Sequence, residues 1–196
     1  MKKIMSLKSL NIIIPIITTI FAIIMIFYLP ETIPSHFNTA GEVDGYGSKY
    51  LVLILPASTW VWWFLSVIEK GKNILIYFFL NILFLYLEII IVKNIISPDT
   101  SIIQYIFTGL GICIICLGVI MPKTSQSFFS GVRTSRTLSD DNTWKKTNEV
   151  AGMLFAIVGV LIVLFSLLLE STLAVSLSIA GITIVSIVVV IYSYIK

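Results

Sequence analysis

Few side chains in this sequence could do chemistry, and they are scattered. His36 is the single histidine, and Glu31, Glu42 and Asp44 share its short polar segment. An imidazole among carboxylates could hold a metal ion or carry a proton. The spacing is not that of a metal motif, and a histidine hydrogen-bonded within an ordered loop is the simpler reading, so no metal and no cofactor is assigned. There is no second histidine, no HExxH and no nucleophile elbow, so no enzyme chemistry is expected. Cys113 and Cys116 have redox-like spacing, but inside an apolar run they read as small packing residues, and no disulfide framework is implied.

Asn81 and Glu88 are seven residues apart and therefore share one face of a helix. A carboxylate within a membrane span is costly and tends to face the bundle interior or water. Glu88 thus reads either as a proton or ligand site or as a residue near the outer interface beside Lys93. Arg133 and Arg136 suit a protein partner, a ligand or lipid phosphate, the last worth about 1 kcal/mol per basic residue near the inner leaflet. Arg133 is expected to pair with Asp140 or Asp141, and Arg136 to touch lipid. Trp144, Thr147 and Asn148 lie at helical spacing on one face. Their helix is expected to be capped by Ser139, with Asp140 and Asp141 in its first turn.

The elements that must position these groups are set by composition. The 196 residues are 58% hydrophobic and 12% charged, with a mean hydropathy of +1.03. That charge is about half the share of a soluble domain. The net charge of +3 gives no reason to expect nucleic acid as a partner. Six runs, at 9–29, 51–68, 74–92, 102–121, 150–169 and 173–195, are long and apolar enough to span a bilayer. They are read as helices, because backbone groups in hydrocarbon must pair within their own segment, and the alternating polarity of a barrel is absent. The expected class is an all-α integral membrane protein with six transmembrane helices.

Basic residues set the expected orientation. With both termini in the cytoplasm, the inner segments hold Lys2, Lys3, Lys8, Lys70, Lys72, Lys123, Arg133, Arg136, Lys145, Lys146 and Lys196, and the outer segments hold only Lys49 and Lys93. The first run is expected to stay uncleaved, being too long for a signal-peptide core and lacking a small-x-small cleavage site. The N-terminal half, 1–101, then carries an outer loop at 30–50, and the C-terminal half, 102–196, an inner loop at 122–149. The outer loop contains Pro34, His36, Phe37, Asn38, Gly41, Asp44 and Lys49, with Asp44-Gly45 as a turn signal for a short hairpin. Asn94–Ser101 is a short outer connection. Pro56 is expected to kink the second helix, and Trp60, Trp62 and Trp63 to form an interfacial belt. Gly152, Ala156 and Gly159 offer a small-residue edge for close helix contact.

The halves look alike. Each has a helix, a long loop and two further helices, and the loops open as Leu29-Pro30-x-Thr32-x-x-Ser35-His36-Phe37 and Met121-Pro122-x-Thr124-x-x-Ser127-Phe128-Phe129. Three helices per half would make this an inverted repeat, whose working site lies near the repeat interface. A small transporter or efflux protein is one reading of that arrangement, with Asn81 and Glu88 as its interior groups.

Two motifs carry a resemblance. The outer Leu29-Pro30-x-x-Ile33-Pro34-x-His36-Phe37-Asn38, with Gly41, Asp44, Gly45 and Lys49 following, resembles a domain of unknown function of small Gram-positive membrane proteins. The inner Gly131-Val132-Arg133-Thr134-x-x-Thr137-Leu138-Ser139, with Trp144, Thr147, Asn148, Ala151 and Gly152 following, resembles the SdpI family. That resemblance implies a cell-membrane immunity and signal-receiving protein giving self-protection against a secreted antimicrobial toxin peptide. It further implies that a cytoplasmic transcriptional repressor could be held at the membrane. On this reading the outer-loop residues meet the toxin, and Gly131, Arg133, Thr134, Trp144, Thr147 and Asn148 relay to the partner. One departure is Ser135-Arg136, where the family often has Pro-Trp, and it bears on partner recognition.

Overall fold

The computed structural model describes residues 2–98 and 102–195. Helix α1 (Lys2–Ile26) leads to an antiparallel hairpin, β1 (Thr32–Phe37) and β2 (Val43–Ser48), and then to a short 3-10 turn at Lys49–Leu53. Helices α2 (Ile54–Ile68), α3 (Ile74–Ile96) and α4 (Ile102–Ile120) follow. A second 3-10 turn (Met121–Lys123) opens a folded loop with the short helix α5 (Ser135–Ser139), before α6 (Asp141–Leu168) and α7 (Ser171–Ile195). Among the described residues, six helices are long and apolar enough to cross a membrane. Their flanks expose residues such as Ile17, Ile24, Phe64, Ile112, Leu164 and Ile187, as lipid-facing surfaces must. Of the connection expected at 94–101, residues 94–96 belong to α3, and 99–101 lie outside the described residues.

The chain's own continuity places the hairpin at one end of the bundle and the folded loop at the other. The α2–α3 turn shares the loop's end, as do the start of α1 and the end of α7. That turn reverses the chain in five residues by using left-handed backbone at Lys70, Gly71 and Asn73 (φ 54°, 76° and 53°).

The three helices of the N-terminal half meet through polar layers. Asn81 Nδ2 donates to Asn11 Oδ1 at 2.9 Å, and Asn11 Nδ2 donates to Ser66 Oγ at 2.9 Å. Seven residues further on, the Thr18 and Thr59 hydroxyls meet at 3.1 Å. Such bonds between membrane helices are worth about 0.6 kcal/mol on average and about 1.7 at most. In the C-terminal half, α4 and α6 meet through glycines instead. A Cβ on Gly118 would stand 2.6 Å from the Gly152 carbonyl oxygen, and one on Gly159 would stand 2.8 Å from that of Gly111. Ala151, Val158, Ile162 and Val189 fill the core beside that seam.

Several expectations change. Pro56 lies in the first turn of α2 rather than near mid-helix, just where the 3-10 turn Lys49–Leu53 passes into α-helix. Trp60 is not simply an interfacial anchor, because its Nε1 donates to Thr19 Oγ1 of α1 at 2.9 Å. Asp44-Gly45 lies within β2, and the hairpin turns at 38–42 instead. There the Asn38 side chain accepts from the Ala40 and Glu42 amides at 3.0 Å, and Gly41 takes φ 89°. Asp140, not Ser139, caps α6: its carboxylate accepts from Thr143 N and Oγ1, each at 2.6 Å. Those bonds hold the Asp140 carboxyl below its ordinary pKa. The two long loops do not share a local structure, one being a hairpin and the other turns with a short helix.

Candidate functional site

The hairpin holds its shape by backbone pairing, which leaves its side chains available. A register irregularity sets Gly45 opposite His36, where a Cβ on Gly45 would lie 3.1 Å from the His36 Cβ. Such irregularities re-aim side chains. Here His36 and Asp44 come out together and exposed, Nδ1 to Oδ1 at 2.5 Å. The other two acids of the segment are engaged elsewhere. Glu31 accepts from Lys49 Nζ at 2.8 Å, and Glu42 accepts from Asn38 Nδ2 at 2.9 Å. Among the described residues no three His, Cys, Asp or Glu side chains are grouped to hold a metal. Pro34 sits half-buried in β1, while Phe37 turns down against Ile102, Ile103 and Val175 and ties the hairpin to the C-terminal half. Tyr46 and Tyr50 complete an exposed aromatic and polar face.

The inner loop has no backbone ladder, so side chains supply its bonds. Trp144 is 0% exposed and donates from Nε1 to the Thr124 carbonyl at 3.0 Å. Asn148 Oδ1 accepts from Val132 N at 2.9 Å. Gly131 holds φ 87° between these two side chains, where a Cβ would meet both at 2.8 Å. Thr134 and Thr137 form a reciprocal cap for α5, and Ser193 Oγ on α7 donates to Thr134 Oγ1 at 3.1 Å. Thr147 is fully buried on the same face of α6. Of the six inner-loop candidates only Arg133 is exposed. It makes no pair with Asp140 or Asp141. It donates instead from Nη1 to the Phe128 carbonyl at 2.8 Å, while Asp141 pairs with Lys145 at 2.6 Å. Beside it Phe128 is 74% exposed. The loop covers a cavity of about 360 Å³ walled by Ile76, Leu117, Phe155 and Val189, and Arg133 is the one charged residue lining it.

Residues that the sequence reading passed over bind this loop to the N-terminal half. Asn73 donates to the Ser125 carbonyl at 3.0 Å and to Ser130 Oγ at 2.9 Å, and accepts from Ser125 N at 2.8 Å. Glu69 accepts from Ser127 Oγ. Burial lifts the Glu69 carboxyl above its ordinary pKa, although Tyr77, Lys72, Asn73 and Ser130 nearby pull the other way.

Glu88 lies inside the bundle. It is 0% exposed, as is Asn81, and neither carboxyl oxygen has a hydrogen-bond partner. Cys113 is buried against α3, with Sγ 3.9 Å from the Phe79 carbonyl oxygen, and both cysteines are free thiols.

This is a six-helix integral membrane bundle with a structured segment at each end and buried polar groups between them. Residues 123–194 match the SdpI/YfhL protein family, and residues 13–59 match a Domain of unknown function (DUF1648). The first match covers the inner-loop motif from Gly131 to Gly152, and the second covers the outer-loop motif from Leu29 to Lys49. Immunity protein SdpI of Bacillus subtilis (strain 168) is 25% identical over 170 residues, covering 83% of this chain and 82% of that protein. An uncharacterized protein of Archaeoglobus fulgidus is 40% identical over 52 residues, covering 26% of this chain and 28% of that one. No solved structure matches.

Proposed function

We propose that this chain is a membrane immunity protein that protects the cell making it against a secreted antimicrobial peptide. The observation that carries the reading is the similarity to Immunity protein SdpI, which runs through 83% of the chain and so includes both structured ends. The excess of Lys and Arg at the end shared by Lys8, Lys70 and Arg133 supports a cytoplasmic loop and an outward hairpin. In that orientation His36, Asp44, Tyr46 and Tyr50 form the face that a secreted peptide meets. Arg133 and Phe128 form the face available to a cytoplasmic transcriptional repressor, while Gly131, Thr134, Trp144, Thr147 and Asn148 hold that face in shape. The test is expression in a strain sensitive to a secreted toxic peptide encoded beside the gene. Tolerance rises with the wild-type chain and is lost with His36→Ala together with Asp44→Asn. No gain in tolerance from the well-expressed wild-type chain overturns the reading.

One observation favours a second reading, that of a small transporter: Glu88 is a buried acid without a partner. Substrate flux into liposomes that depends on Glu88 would support it over the first.

A further inference from the structure

A spacing of seven residues recurs on three helices. Asn11 and Thr18 lie on α1, Thr59 and Ser66 on α2, and Asn81 and Glu88 on α3. Bonds join Asn11, Ser66 and Asn81 in one layer, and Thr18 and Thr59 in the next. Successive spans run in opposite directions, so α1 and α3 run parallel and α2 antiparallel to both. One two-turn step from the first layer therefore brings Glu88 to the level of the threonine pair. The two threonine hydroxyls carry one proton each, and three acceptors share these: the facing hydroxyl and the carbonyls of Pro15 and Pro56 on their own helices. The Glu88 carboxyl oxygens and Asn81 Oδ1 are left as three buried acceptors without donors on one face of α3.

The layers have an open end and a closed end. A cavity of about 370 Å³ between α1, α2 and the α2–α3 turn is lined by Lys8, Trp63, Ser66, Lys70, Gly71 and Ile74, so Ser66 links it to Asn11 and Asn81. On the hairpin side Ala22, Leu29, Ile33, Val52 and Val92 form a continuous apolar plug. Among the described residues no neighbouring helix offers Glu88 a counter-charge. From Asn11 onward α1 carries no ionisable side chain, α2 carries none, and α4 brings only Tyr105, Cys113 and Cys116. On α3 itself Lys93 is five residues on, turned to another face and lying over the Tyr105 ring at 5.1 Å.

We propose that Glu88 is a proton-binding site, loaded from the end of the bundle that carries Lys8 and Lys70, along Ser66, Asn11 and Asn81, and closed toward the hairpin by the apolar plug. A proton delivered by hydronium in the cavity forms an O–H bond on the Glu88 carboxylate as one O–H bond of the hydronium breaks, leaving water, and its return to water reverses both. Asn81 Oδ1 and the carboxyl oxygens are the acceptors along which water can carry the proton over the final two turns, about 10 Å at the helical rise. This goes beyond the immunity reading and does not rest on it.

The experiment is infrared difference spectroscopy on the full chain in liposomes, stepped from neutral to alkaline pH and exchanged into D2O. A protonated carboxylic acid band is expected in the wild type and in Glu88→Asp, is absent when the near-isosteric Glu88→Gln is combined with Glu69→Gln, and fades as pH rises. Ser66→Ala should slow its exchange into D2O roughly tenfold, the scale of one lost hydrogen-bonded link. In a Glu69→Gln background, which removes a second buried carboxyl, one held above its ordinary pKa, a band that survives Glu88→Gln overturns the site. A band that vanishes in Glu88→Gln but exchanges at the wild-type rate in Ser66→Ala overturns the route. Unfolding temperatures of the variants in detergent show whether each is folded, and Glu88→Asp supplies the check should Glu88→Gln fail to assemble.

Discussion

The hairpin and the inner loop are both rich in motif residues, and they use them in opposite ways. In the hairpin, backbone amides and carbonyls satisfy one another across the β1–β2 ladder, so His36, Asp44 and Tyr46 remain exposed. The inner loop has no ladder. Its peptide groups are paired by Trp144, Asn148, Thr137, Gln126 and Asn73, which are thereby turned inward. A buried backbone group must find a partner, and where the chain cannot supply one from its own main chain the side chains do so. The same density of specific residues thus marks a presented surface at one end and a scaffold at the other.

The largest effect should come from Trp144→Ala. Emptying a fully buried indole site costs about 3–5 kcal/mol, read as a lower unfolding temperature in detergent, whereas Tyr46→Ala in the hairpin should change stability by less than about 0.5 kcal/mol. Equal losses at the two positions would erase the contrast. Next is Gly118→Val, which forces a side chain into the Gly152 backbone and should cost about 1–3 kcal/mol.

A smaller effect is set by pH. Burial holds the Glu69 carboxyl above its ordinary 4.5, so the folded loop retains a proton that the unfolded chain releases. Its stabilising contribution is complete below 4.5 and is lost as pH rises through the folded-state value. Glu69→Gln should remove that slope from stability measured against pH. The smallest structural effect belongs to His36→Ala with Asp44→Asn. The unfolding temperature should stay at the wild-type value while protection against the peptide disappears. A drop in both would make the hairpin a scaffold too.

The gross architecture was legible because hydrocarbon imposes length and polarity on every span, and α6 runs through Trp144, Thr147 and Asn148 as their spacing required. The edge of Gly152, Ala156 and Gly159 signalled close approach, and Gly152 and Gly159 make it against Gly118 and Gly111 of α4. The cap of α6 was misplaced by one residue because Ser139 and Asp140 both suit an N-cap, and only the extended backbone of Asp140 decides between them. Arg133 was given an acidic partner because its charge was visible and the Phe128 carbonyl was not. The polar layers of the N-terminal half were missed, although the seven-residue pairs Asn11/Thr18, Thr59/Ser66 and Asn81/Glu88 were there to be read. Single polar residues in apolar runs look incidental until three helices are laid side by side.

The roles of receiver and relay depend on which end of the bundle faces out. Cys113 and Cys116 can be replaced by Ala, and Asp44→Cys and Arg133→Cys introduced singly into that background for labelling of intact cells with a membrane-impermeant thiol reagent. The account predicts that Asp44→Cys is labelled at once and Arg133→Cys only after the cells are broken. Labelling of Arg133→Cys in intact cells, with Asp44→Cys protected, would contradict it.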